Sequence, residues 1–140
     1  MPARELISDE ISRAIQDYAA AARDAIKAGF DGVQLHAANG YLIDQFLRDS
    51  SNLRTDSYGG LIENRLRLLR EVVEALIAAM GAQRTAVRLS PNGEIQGVDD
   101  SNQKALFTAA GTLLDPLNIA FLELREPGPN APTASRIDRL

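Results

Sequence analysis

Residues 28–42 read Ala28-Gly29-Phe30-Asp31-Gly32-Val33-Gln34-Leu35-His36-Ala37-Ala38-Asn39-Gly40-Tyr41-Leu42, and this stretch organises the reading of everything around it. Gly29 follows a last-turn lysine, Lys27, at the end of a run with helical spacing, which is how helices stop. Gly32 to His36 alternates and is bounded by Gly and Asn, which predicts a short strand. A helix, a strand and a polar turn at the strand's carboxyl end make one αβ step.

Upstream, Ile11, Ile15, Tyr18, Ala19, Ala22 and Ile26 recur at helical spacing, with Ser8 placed to cap the helix and Asp9 and Glu10 in its first turn. Downstream, a short helical turn is expected around Leu42 to Leu47, then a polar connection from Arg48 to Gly60. Ile62, Leu66, Leu69, Val73, Leu76, Ile77 and Met80 form an apolar stripe that predicts one helix ending at Gly81. Its polar side sets Glu63, Arg67 and Glu71, and Arg70 with Glu74, at i, i+4 steps, which predicts a salt-bridged solvated face. Thr85 to Ser90 reads as a strand stopped by Pro91, and a turn-rich loop runs from Asn92 to Asn102. Ala105 to Leu114 reads as a helix closed by Asp115-Pro116, and Ile119 to Leu124 as a third strand, before Pro127, Gly128, Pro129, Asn130 and Pro132 signal irregular chain.

Strands separated by helices imply an α/β protein whose parallel strands are joined by right-handed crossovers. Two architectures fit this order, part of a (β/α)8 barrel or a small doubly wound sheet, and periodicity does not choose between them. The 140 residues suit one modest domain. A complete barrel uses roughly 250.

Acidic residues outnumber basic ones by 19 to 15, for a net charge of -4, and a polyanion-binding surface normally shows the opposite excess. Nucleic acid is therefore not an expected partner. With no cysteine there is no disulfide framework and no thiolate metal site. The opening Met1-Pro2-Ala3-Arg4-Glu5 does not read as a secretory signal. The longest stretch free of charged residues, Gly32 to Ile43, falls short of the roughly 18 that suggest a membrane span. A soluble, cytoplasmic protein with no membrane partner is expected.

Parallel α/β folds collect their functional residues at the carboxyl ends of strands. His36, the sole histidine, stands there with Asn39 three residues on, so one turn can aim both at the same spot. Two neutral hydrogen-bond donors suit an oxygen that gains negative charge during reaction. Tyr41 adds a phenolic proton donor. Taken singly, each residue has a plainer reading: a satisfied loop-edge histidine, an Asn-Gly turn, a packing tyrosine. Arg88 lies inside the run Ala86-Val87-Arg88-Leu89-Ser90, and a guanidinium in a buried strand needs an anionic or strongly polar partner. Glu123 on the next strand is one candidate, and a ligand carrying negative charge, such as a reduced flavin, is the other. Gly59-Gly60 before a helix reads as turn punctuation, because no Walker or GxGxxG pattern accompanies it. Asp99-Asp100 with Glu94 matches no cation-loop spacing and belongs to a loop expected to be solvated, so no metal site is expected. Ser50-Ser51 lacks a nucleophile-elbow context.

The string from Ala28 to Leu42 resembles the segment around the fourth barrel strand of the Old Yellow Enzyme family, the FMN-dependent ene-reductases. The resemblance continues in order through Gln45-Phe46-Leu47, Asn52, Arg54-Thr55-Asp56, Tyr58-Gly59-Gly60, Glu63-Asn64-Arg65 and Arg88-Leu89-Ser90-Pro91, and covers nearly the whole chain. It implies a partial TIM barrel of about three βα units with parallel strands, residues 1–140 forming a single partial domain from the middle of the barrel. It further implies FMN as cofactor, NAD(P)H as hydride donor and an enone-type small molecule as substrate. His36 and Asn39 would bind the substrate carbonyl oxygen, Tyr41 would donate the proton, and Arg88 would approach the pyrimidine side of the flavin. Leu61 departs from the family, which usually has a small polar capping residue there. Three βα units alone expose sheet edges, so the chain is expected to self-associate or to need a complementing piece. That expectation belongs to the alternative to the ene-reductase reading, a catalytically silent α/β barrel fragment that cannot hold FMN alone. A flavin barrel of different chemistry, as in dienoyl-CoA reductases or amine dehydrogenases, would call for a cysteine cluster or added length.

Overall fold

The computed structural model describes residues 4–92 and 97–125. In chain order the elements are α1 (Ser8–Lys27), β1 (Val33–His36), α2 (Leu42–Leu47), α3 (Ile62–Arg65), α4 (Arg67–Met80), β2 (Thr85–Leu89), α5 (Gln103–Leu114) and β3 (Phe121–Leu124), with single 3-10 turns before β2 and after α5. The three strands pair in parallel in the order β1-β2-β3, with His36 opposite Arg88 and Arg88 opposite Glu123.

One face of this sheet is apolar. Leu35, Val87 and Leu89 join Ile11 and Ala22 of α1, Leu68, Leu69, Val72, Val73 and Leu76 of α4, and Leu106, Phe107, Ala110 and Leu114 of α5 in a single buried cluster. The alternate residues Gln34, His36, Arg88, Phe121 and Glu123 point to the opposite face, because side chains reverse at every strand position. No element among the described residues covers that face, and Phe121 is 55% exposed on it. Helices on one face only, with strands in sequential order, are consecutive units of a (β/α)8 barrel; a doubly wound sheet carries helices on both faces. The choice that periodicity left open is settled by which side the helices pack on.

The elements follow the expected ones with local differences. Ser8 does not cap α1: Ile7 takes the extended N-cap conformation, Ser8 is already helical, and the Glu10 carboxylate accepts from the Ile7 N–H at 3.1 Å. The single helix expected from Ile62 to Met80 is interrupted at Leu66, although the Leu66 N–H still reaches the Ile62 carbonyl at 2.9 Å. The salt-bridged ladder is also replaced. Glu71 accepts a 2.7 Å hydrogen bond from the Tyr58 hydroxyl, and the Arg67 guanidinium lies 5.7 Å from the centre of the Tyr58 ring. Tyr58 arrives from the connection before α3, so a long-range contact wins over the ladder. The Asn102 side chain caps α5 by accepting from the Ala105 N–H at 3.1 Å, which starts that helix two residues earlier than the apolar spacing does.

Two stability predictions follow from these ends and contacts. Leu61 occupies the N-cap of α3 in extended conformation, offers no side-chain acceptor and is 65% exposed. Leu61→Asp should raise stability by up to about 1 kcal/mol, read as a higher melting temperature. Burial, reinforced by the hydrogen bond to Glu71, pushes the Tyr58 hydroxyl from 10.0 up to about 12. A raised folded-state value means that stability is intact below pH 10 and is lost as pH climbs towards 12. Denaturant titrations from pH 9 to 12 should show that loss in the wild type and a smaller one in Tyr58→Phe.

Candidate active site

At the carboxyl end of β1 the chain reverses through two successive left-handed residues, Asn39 (φ 61°) and Gly40 (φ 75°), and enters α2 at Tyr41. Asn is among the few residues that visit this region at modest cost. Both backbone N–H groups are held: Asn39 donates to Ser90 Oγ and Gly40 to Asp44 Oδ2, each at 2.9 Å. The Gln45 side chain closes the turn from below by donating to the Gly40 carbonyl at 2.7 Å.

The His36 and Tyr41 rings meet with centroids 5.3 Å apart and planes tilted by 57°. His36 is half-buried, whereas Tyr41 is exposed. The Asn39 Oδ1 is buried and has no hydrogen-bond partner among the described residues. Among the described residues no hydrogen bond joins the Asn39 side-chain oxygen to either ring, and the turn brings the three residues together.

Arg88 sits beside His36 in register, on the same open face. It is partly exposed rather than buried, because that face carries no helix, and this corrects the expectation of a buried strand arginine. Its Nε lies 3.1 Å from Glu123 Oε1, so the structural partner foreseen from the sequence is present. The contact leaves capacity unused, since the Nε–H is buried without a well-directed acceptor. Gln34 donates to the other Glu123 oxygen at 2.7 Å. The result is a polar row, Gln34, Glu123, Arg88 and His36, ending at the Asn39–Tyr41 turn.

Several residues essential to this geometry were not singled out in the sequence. Asp44 and Arg48, both wholly buried, form an ion pair with Nε 2.9 Å from Oδ1, and Arg48 Nη2 donates to the Ser90 carbonyl at 2.7 Å. The Arg48 guanidinium also lies over the Phe107 ring, 4.8 Å from its centre. Their i, i+4 spacing across the end of α2 was the signal that could have revealed them. Arg65, also buried, donates to the Leu47 carbonyl, to Asp100 Oδ2 and, at 3.1 Å, to the Gly60 carbonyl. Asp100 is therefore buried and paired, which corrects the solvated loop expected there, while Glu94 lies outside the described residues.

The connection from Arg48 to Gly60 is a folded brace. Asn52 Nδ2 donates to the carbonyls of Phe46 and Tyr58 at 2.6 and 2.7 Å, and Arg54 Nη1 to the Leu6 carbonyl at 2.7 Å. A Cβ on Gly59 would stand 2.3 Å from the Arg54 carbonyl oxygen, so close backbone approach explains that glycine without a phosphate.

These features define a run of barrel units that keeps the ligand-facing ends of three strands. The chain belongs to the NADH:flavin oxidoreductase / NADH oxidase family, whose profile matches residues 1–139. It is 47% identical over 126 residues to a putative 12-oxophytodienoate reductase 10 of Oryza sativa subsp. japonica, covering 90% of this chain and 40% of that protein. It is 50% identical over 119 residues to a probable flavin mononucleotide-dependent alkene reductase of Leishmania infantum, covering 85% and 33%. Among solved structures, the Old Yellow Enzyme homologue of Zymomonas mobilis superimposes with a TM-score of 0.87 at 62% identity, covering 89% of this chain and 35% of that one. Morphinone reductase in complex with tetrahydroNAD gives a TM-score of 0.82 at 45% identity, covering 86% and 33%. The chain thus spans between a third and two fifths of the length of these relatives. The Old Yellow Enzyme resemblance and the partial barrel are both confirmed, and FMN with a nicotinamide is the cofactor set of the matched family.

The Tyr41 hydroxyl makes no hydrogen bond to any described residue, and the ring is 53% exposed. Tyr41→Phe should therefore leave the melting temperature within about 2 °C of wild type, as an exposed substitution does. A larger fall would assign the hydroxyl a structural role.

Proposed function

We propose that this chain carries the substrate-oxygen site and part of the flavin-facing wall of an FMN-dependent ene-reductase, which reduces activated C=C bonds of α,β-unsaturated carbonyl compounds with NAD(P)H. The observation that carries the reading is the polar row His36, Arg88 and Glu123, capped by Asn39 and Tyr41, on the one sheet face that the helices leave uncovered. The donor set suits a flavin. Arg88 presents a guanidinium whose buried Nε–H lacks a well-directed acceptor, and such a group stabilises an electron-rich ring edge.

When bound, FMN supplies the hydride chemistry, and the protein supplies position and electrostatics. His36 and Asn39 donate hydrogen bonds to the substrate carbonyl oxygen and favour the negative charge that builds on it. Tyr41, exposed beside His36, delivers its hydroxyl proton to the α-carbon. Arg88 holds the pyrimidine side of the ring. No helix among the described residues is long and apolar enough to cross a membrane, and a cytoplasmic location belongs to the same proposal.

A second reading concerns the chain by itself. Among the described residues β1 and β3 each pair along one edge only, and Phe121 and Leu124 are exposed near the second of these edges. Unpaired strand edges are templates for association. On that reading the isolated chain self-associates and is catalytically silent.

One preparation separates the two. Purified chain supplied with FMN should turn yellow, bleach with NADPH and recover its colour with an enone, and Tyr41→Phe should slow the recovery while sparing the bleaching. A colourless chain eluting as an oligomer would favour the silent reading. Equal loss of both steps in Tyr41→Phe would contradict the proton-donor role.

A further inference from the structure

The hydrogen bonds behind the Asn39–Tyr41 turn form a closed circuit. The Asn39 N–H donates to Ser90 Oγ, the Ser90 carbonyl accepts from Arg48 Nη2, Arg48 Nε pairs with Asp44 Oδ1, and Asp44 Oδ2 accepts from the Gly40 N–H. Every side chain in the circuit is buried: Asp44, Arg48 and Ser90 are all 0% exposed. The circuit encloses just the two residues that take left-handed backbone conformations, Asn39 and Gly40. It also joins three separate elements, since Asp44 lies in α2 and Arg48 caps its carboxyl end, Ser90 follows β2, and Asn39 follows β1.

We infer that Asp44, Arg48 and Ser90 are positioning residues that set where the Asn39 side chain lies relative to His36 and Arg88, and thereby fix the affinity of the oxygen-binding pair. This rests on the function proposed above. Ser90 lies two residues beyond Arg88, so the hydrogen bond that it makes to Asn39 ties the oxygen site of one strand to the flavin-facing cation of the next. The charges sharpen the point. Burying an ion pair is seldom the cheapest way to stabilise a core, and an apolar pair of similar size often serves as well. What an apolar pair could not do is accept from the Gly40 N–H and donate to the Ser90 carbonyl at once. Those two bonds hold the turn in one register against the end of β2.

Ser90→Ala is the discriminating variant. It removes only the hydroxyl acceptor of the Asn39 N–H and keeps the backbone carbonyl that Arg48 needs, so no charge is left unpaired. Two readouts are made on the full chain with FMN: amide hydrogen exchange at Asn39 and Gly40, and the dissociation constant of a para-substituted phenol. Exchange at Asn39 should accelerate, and phenol affinity should fall about tenfold, while FMN affinity and the melting transition stay near wild type. Asp44→Asn, which keeps an acceptor for Gly40 but leaves the buried Arg48 charge without its counterion, should accelerate the same exchange and weaken phenol binding further, and unlike Ser90→Ala it should also lower the melting temperature. Unchanged phenol affinity in a Ser90→Ala chain whose Asn39 amide has lost protection would overturn the inference, as would protection that survives the substitution. If the wild-type chain binds FMN but no phenol, the oxygen-site reading fails instead, and the exchange data still decide whether the circuit holds the turn.

Discussion

The buried Asp44–Arg48 pair is the constraint on which the described structure turns. An isolated ion in a protein interior costs far more than folding can return, so each of these groups must find the other and then satisfy its remaining hydrogen-bonding capacity. Asp44 does so on the Gly40 N–H; Arg48 uses Nη2 on the Ser90 carbonyl and lays its guanidinium over the face of Phe107, while its buried Nη1 has no hydrogen-bond partner among the described residues. The pair therefore fixes the turn after β1, the end of β2 and the packing of α5 together. If either partner moved, all three would lose a contact at once.

A second buried arginine extends the same logic outward. Arg65 joins the Leu47 carbonyl at the end of α2 to Asp100 in the loop before α5, and Asp100 in turn accepts from the Asp49 N–H at 3.1 Å. Together the two arginines tie the loops at the carboxyl end of the sheet to one another. The apolar cluster beneath is built from ordinary helix and strand faces, and it supplies cohesion without choosing among loop conformations. Cohesion thus comes from the helical side of the sheet and loop geometry from the arginines, which leaves the open face free for binding.

Much of this was legible in the sequence because it is local. The strand ending at His36, the short helix from Leu42 to Leu47 and the strand from Thr85 follow from alternation, turn residues and apolar spacing, and the structure places them there. What was not legible depends on residues distant in sequence. Tyr58 displaces an i, i+4 ladder because it reaches Glu71 from a preceding loop, and Asp100 is buried because Arg65 lies beneath it. Arg48 reads in sequence as the start of a polar connection, and only the approach of Ser90 and Phe107 explains its burial. Of the site, His36, Asn39, Tyr41 and Arg88 were visible as chemistry-bearing residues at strand ends. Their joint meaning came from the family resemblance, and the circuit that holds Asn39 is visible only in the folded chain, because it joins residues about fifty positions apart.

The central claim is that one turn and one strand arginine present a substrate oxygen to a flavin. A crystal structure of the chain with FMN and a para-substituted phenol tests it most directly. The account predicts the phenol oxygen within hydrogen-bonding distance of both a His36 ring nitrogen and Asn39 Nδ2, with Arg88 against the pyrimidine edge of the flavin. A phenol bound elsewhere, or a flavin bound away from the open face of the sheet, would contradict it.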